Sequence, residues 1–202
     1  VLEYPNNKYS EDAMLMGAEM AYTAKDYEKA LHIYKQLKDK AASMERRQLA
    51  KTGMLRSAHM LGNEEEIIFT ATDLLADTKL APELSNEAHY YRAKAYLDAG
   101  KTDGAMEDLK ILAKDTRNVY GAEAKYKVAQ IYFDGGQTDK AEQEVLNYIE
   151  VSTPHTYWLA RSFVLLADVY MKSGRNLDAK QYLLSLKQNY QADDDIAGMI
   201  ES

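Results

Sequence analysis

Along most of the chain, small and large apolar residues recur in steps of three, four and five, and a glycine marks most of the places where the rhythm breaks. The clearest instance runs through Ala129, Tyr132, Gly136, Ala141, Val145 and Tyr148. Steps of three and four set Ala129 with Tyr132, and Ala141 with Val145 and Tyr148, on single helical faces, while Gly136 falls where a helix must stop and the backbone turn. The unit is a helical hairpin. The same steps recur through Ala93, Tyr96, Gly100, Ala105, Leu109 and Leu112, and through Ala167, Tyr170, Gly174, Ala179, Leu183 and Leu186. Weaker copies run through Ala18, Ala21, Lys25, Ala30, Tyr34 and Leu37, and through Leu55, Ala58, Gly62, Ile67, Ala71 and Leu74.

The pattern predicts an all-α chain of ten helices in five antiparallel hairpins, at about 11–40, 44–78, 83–115, 119–151 and 154–189. Residues 190–202 open a C-terminal capping helix with Ile196, Met199 and Ile200 on one face. Local chemistry supplies the boundaries. Tyr4-Pro5-Asn6-Asn7 reads as a turn and Ser10 as the first N-cap. Asn63 with Glu66 forms a capping box, and Pro82 suits a first helical turn. Thr153-Pro154 starts the ninth helix.

The second-helix markers Ala30, Ile67, Ala105, Ala141 and Ala179 return every 36 to 38 residues, a period that signals a solenoid. On these residues the chain resembles the tetratricopeptide repeat (TPR) family across roughly residues 10–190, with slightly lengthened repeats. Sel1-like repeats rank second, because their glycine-valine insertion is missing from the turns DGGQTDKA and DAGKTDGA. The resemblance implies one TPR solenoid domain over 1–202, an α-α superhelix of right-handed sense. Residues 4–13 resemble the inter-repeat junction of bacterial envelope TPR proteins, of the outer-membrane-assembly lipoprotein or Tol-associated cell-division coordinator type. The chain is accordingly expected to be a piece of a longer protein, in the bacterial periplasm or envelope, with the cytoplasm as the alternative.

Composition narrows the classes further. A formal charge of −7 argues against a nucleic-acid partner, and no apolar run approaches the ~20 residues that span a bilayer. The chain has no cysteine, which removes disulfides and thiolate metal sites. His32, His59, His89 and His155 fall in different repeats, so no metal site, cofactor or catalytic centre is expected. The triplet Glu64, Glu65 and Glu66 reads as helix capping, and Asp193, Asp194 and Asp195 lack the ligand spacing of a calcium loop. Tyr96, Tyr132 and Tyr170 are expected between helices. Trp158 is expected to plug the fourth hairpin against the fifth, with a surface hot spot as the alternative.

TPR resemblance places any binding groove on the first helices, which line the concave side. Its positions fall on Leu15, Glu19 and Tyr22; Thr52, Arg56 and His59; Tyr90, Lys94 and Leu97; Tyr126, Gln130 and Phe133; and Val164, Asp168 and Met171. The carboxylate clamp of chaperone-binding relatives is not reproduced, since its asparagine place reads Glu19, Arg56, Lys94, Gln130 and Asp168. The expected partner is a protein or peptide segment contacting Tyr22, Arg56, His59, Tyr90, Lys94, Tyr126, Gln130 and Phe133. Arg56 and Lys94 would favour acidic groups on it. The reading is a non-catalytic interaction scaffold; the alternatives are a spacer between domains and a regulatory module for a small ligand.

Overall fold

A computed structural model describes residues 8–201 of the chain. Among them all regular structure is helical: α1 (Lys8–Thr23), α2 (Tyr27–Lys40), α3 (Met44–Leu61), α4 (Glu64–Leu75), α5 (Pro82–Asp98), α6 (Thr102–Leu112), α7 (Val119–Asp134), α8 (Thr138–Ile149), α9 (Thr156–Lys172), α10 (Asn176–Asn189) and α11 (Ile196–Glu201). The chain divides into two compact units, Val1–Ala105 and Met106–Ser202, with the division inside α6. In the first unit α1, α3 and α5 are successive neighbours, α2 packs on α1 and α3, and α4 packs on α3 and α5. In the second, α7 and α9 are neighbours, α8 packs on both, and α10 and α11 pack on α9.

The marker positions form the cores. Ala18, Ala30 and Tyr34 pack together in the first hairpin, and Ala58, Ile67, Ala71 and Leu74 in the second. Ala129, Val145, Leu166, Tyr170 and Ala179 close the core of the second unit. Ala129 and Ala141 are fully buried, as close helix packing requires of small residues. Tyr170 is buried too, whereas Tyr96 and Tyr132 are half-buried.

The five hairpin turns share one hydrogen-bonding scheme. The amides of Asn63, Lys101, Gln137 and Arg175 donate to the carbonyls of Ala58, Tyr96, Tyr132 and Tyr170 at 3.0, 2.7, 2.8 and 2.8 Å. One residue earlier, Gly62, Gly100, Gly136 and Gly174 hold φ of 63°, 70°, 73° and 75° and donate to His59, Leu97, Phe133 and Met171. This is the Schellman stop, whose left-handed residue favours glycine. The first turn makes the same bonds, Asp26 to Ala21 and Lys25 to Tyr22 at 2.9 Å, with Lys25 forced to φ 62°.

Three boundaries differ from expectation. Ser10 is not an N-cap: it lies buried inside α1, which is already helical at Lys8, while the Tyr4 to Asn7 turn lies outside the described residues. Beside it the buried Glu11 accepts the amide of Ala42 at 3.0 Å, tying α1 to the α2–α3 loop. Helix α9 begins at Thr156 rather than at Pro154, because Thr153 Oγ1 accepts the His155 amide and donates to the Thr116 carbonyl, holding that stretch as a loop. Only half of the Asn63 capping box forms. Asn63 accepts the Glu66 amide at 3.1 Å, but the Glu66 carboxylate goes to Lys35 at 2.6 Å.

The eleventh helix, α11, lies where the capping helix is expected. Ile196 is fully buried and packs with Met199 and Ile200 against Ala160, Val164 and Leu186. The acidic run before it is structural: Asp194 accepts the Ile196 amide and the Tyr190 hydroxyl, and Asp195 pairs with Arg161 at 3.1 Å.

Candidate functional site

The groove positions expected from the sequence lie on the first helices of both units. In the first unit Tyr22 comes from α1, Arg56 and His59 from α3, and Tyr90 and Lys94 from α5. Arg56 is held by Glu87 of α5 through two parallel bonds of 2.7 and 2.8 Å, so its charge is matched within the protein. The His59 ring stacks on Tyr91 with centroids 4.1 Å apart and planes 21° apart, and Tyr90 lies 5.9 Å from Tyr91. Burial pushes the His59 imidazole below its ordinary value and the Lys94 ammonium adds to the effect, so the ring is neutral at pH 7. Tyr22 meets Tyr27 edge-on at 5.2 Å, and burial, with Tyr27 next, raises its hydroxyl against the opposing pull of Arg56. Lys94 stays exposed.

In the second unit Tyr126, Gln130 and Phe133 stand on α7 and Val164, Asp168 and Met171 on α9, where Val164 packs toward Leu186 of α10 and Ile196 of α11 and Met171 borders Ala179, Leu183 and Ile200. Tyr126 is buried, and its hydroxyl donates to Gln130 Oε1 at 2.8 Å. Gln130 Nε2 donates in turn to Asp134 at 2.8 Å, which fixes the amide. Arg161 donates to the hydroxyls of Tyr157 at 2.9 Å and Tyr126 at 3.3 Å, and its guanidinium lies 5.2 Å from the Tyr126 ring. Trp158 fills the space beside Tyr126, centroids 5.7 Å apart, joining α9 to α7. Phe133 is half-buried, with the Lys172 ammonium 4.7 Å over its ring.

Residues 87–115 match the family model described as tetratricopeptide repeat. The structure of YrrB, titled a TPR protein with an unusual peptide-binding site, superposes with a TM-score of 0.68 at 16% identity, covering 98% of this chain and 95% of that one. The chain has a TPR fold. MamA superposes with a TM-score of 0.68 at 17% identity, covering 88% of this chain and 90% of its own. BtubC from P. vanneervenii gives 0.61 at 13% identity, covering 92% and 84%. No curated protein matches the sequence.

Within the TPR hairpins, the three groove positions differ in depth. Thr52, Tyr126 and Val164, first in their trios, are buried, whereas the middle members Glu19, Arg56 and Lys94 are exposed. Sequence spacing alone treats the three alike. It also passes over Glu87 and Tyr91, which complete the first unit's face, and Arg161 and Lys172, which complete the second's. Glu87 was within reach, because it lies on the Lys94 stripe of α5, seven residues back. Among the described residues no cluster of His, Asp or Glu could hold a metal ion, and no helix is long and apolar enough to cross a membrane.

Proposed function

We propose that the chain is a non-catalytic scaffold whose groove faces, on the first helices, bind a segment of a partner protein. The observation that carries this reading is the state of those faces. Aromatic rings are held in fixed poses by stacking and hydrogen bonds, yet Tyr22, His59, Tyr90 and Phe133 stay only half-buried. Rigid, partly exposed aromatics beside oriented polar groups offer contact area at small entropic cost. YrrB, a TPR protein of like fold, is described as having a peptide-binding site, which adds support. A cavity of about 200 Å³ between α9 and α10 is lined by Leu159, Phe163, Leu186 and Tyr190, off the groove positions. A bacterial-envelope setting rests on residues 4–13 alone.

Photo-crosslinking tests the reading. A photoreactive residue is placed at Lys94 or Phe133, and as a control at Phe69, which is 61% exposed on the second helix α4. Adducts with the same partner at Lys94 and Phe133 and none at Phe69 are expected. Equal labelling at Phe69 would refute the groove assignment.

A further inference from the structure

On the second unit's face one charge has no counterpart. Asp168 of α9 is half-buried, yet no hydrogen bond or ion pair reaches its carboxylate from any described residue. Its place is fixed by the contacts on either side. Arg161, seven residues before it, lies over Tyr126, and Lys172, four residues after it, lies over Phe133. Asp168 therefore shares a stripe of α9 with Arg161 and Lys172, which reach Tyr126 and Phe133 of α7, and borders Val164 and Met171 on its other side.

The nearby cations are engaged elsewhere. Arg161 is bound to Tyr157, Tyr126 and Asp195, and Lys172 turns its ammonium over the Phe133 ring. Burial without a partner raises the carboxyl above its ordinary value, and no neighbouring charge adds to or opposes that shift. Buried or half-buried carboxylates are normally paired, because desolvation penalises the charged form. On the same helix as Asp168, Met171 is half exposed at 50%, and across on α7 the Gln130 amide is oriented by Asp134 while the half-buried Phe133 ring lies under the Lys172 ammonium. These groups suit a long basic side chain, whose methylenes lie on apolar surface while its cationic head meets a carboxylate.

We propose that Asp168 is the docking point for a lysine or arginine side chain of the partner segment. The inference rests on the groove reading above and assigns the partner's chemistry at this position. It reverses, for this unit, the preference for acidic groups that Arg56 and Lys94 implied from the sequence.

The full chain is panned against a random dodecapeptide phage library, and recovered peptides are titrated by fluorescence anisotropy against wild type, Asp168→Asn, Asp168→Glu and Phe133→Ala. The expected peptides carry Lys or Arg and bind Asp168→Asn on the order of tenfold more weakly, with the loss shrinking at high salt and largely rescued by Asp168→Glu. A thermal melt of Asp168→Asn should show a midpoint no lower than wild type; a marked drop would reveal a structural partner and overturn the inference. Recovered peptides without basic enrichment, or with unchanged affinity for Asp168→Asn, would also overturn it. If those peptides still lose affinity for Phe133→Ala, the groove reading survives and only the cation assignment falls. If none responds to either substitution, or none is recovered, both fall.

Discussion

Lys25 sits where the other four hairpins place glycine, and it adopts the same left-handed backbone, φ 62°. A side chain in that conformation costs about 1–2 kcal/mol, which glycine avoids, although glycine gives back part of the gain through its freer unfolded state. Lys25→Gly should therefore stabilise the protein by about 0.5–1 kcal/mol, read as a higher urea midpoint at constant slope. Asp168 predicts a pH signature. Its carboxyl is raised in the fold, so the folded protein holds that proton more tightly than the unfolded chain does. The stability tied to the proton is fully present below the ordinary carboxylate value and is lost as pH rises through the raised one. Asp168→Asn should accordingly melt higher than wild type at pH 7, and the gap should close as the pH is lowered through the carboxylate range. A gap that widens on acidification would contradict the assignment.

At the scale of the helix, the packing faces were largely legible and the ends were not. The three- and four-residue steps mark core faces because burial of one stripe dominates a helix's energetics. Ala141, with no exposed surface, follows from that stripe, and Ala141→Leu should overpack its core at a cost of about 1–3 kcal/mol, visible as a lower thermal midpoint. Helix starts depend on single competing bonds. The Thr153 hydroxyl binds the Thr116 carbonyl, 37 residues away in sequence, and so delays α9; no local pattern announces such a partner. Gly53 makes the same point from within a helix. A methyl group there would lie 2.3 Å from the Tyr34 ring, so the glycine answers to a neighbouring helix rather than to its own.

For the molecule as a whole, repetition made the architecture readable, since one decoded hairpin decodes five. The candidate site was readable only as positions. Which groove residue carries an available charge depends on partners such as Glu87 for Arg56, and that pairing crosses from α3 to α5. The terminal helix α11 contributes by covering the last hairpin. Deleting 191–202 removes buried Ile196 and uncovers Val164 and Leu186, so the truncated protein should lose about 2–3 kcal/mol, with faster hydrogen exchange in α9 and α10. The shared turn carries a different consequence. Tyr22, His59, Leu97, Phe133 and Met171, the last members of the five groove trios, supply the carbonyls that receive the turn amides of Lys25, Gly62, Gly100, Gly136 and Gly174. The bond that ends each first helix also fixes the address of the last proposed groove residue on it. If those positions bind a partner as proposed, specificity can diverge by exchanging side chains at standing addresses while the turn keeps the backbone the same.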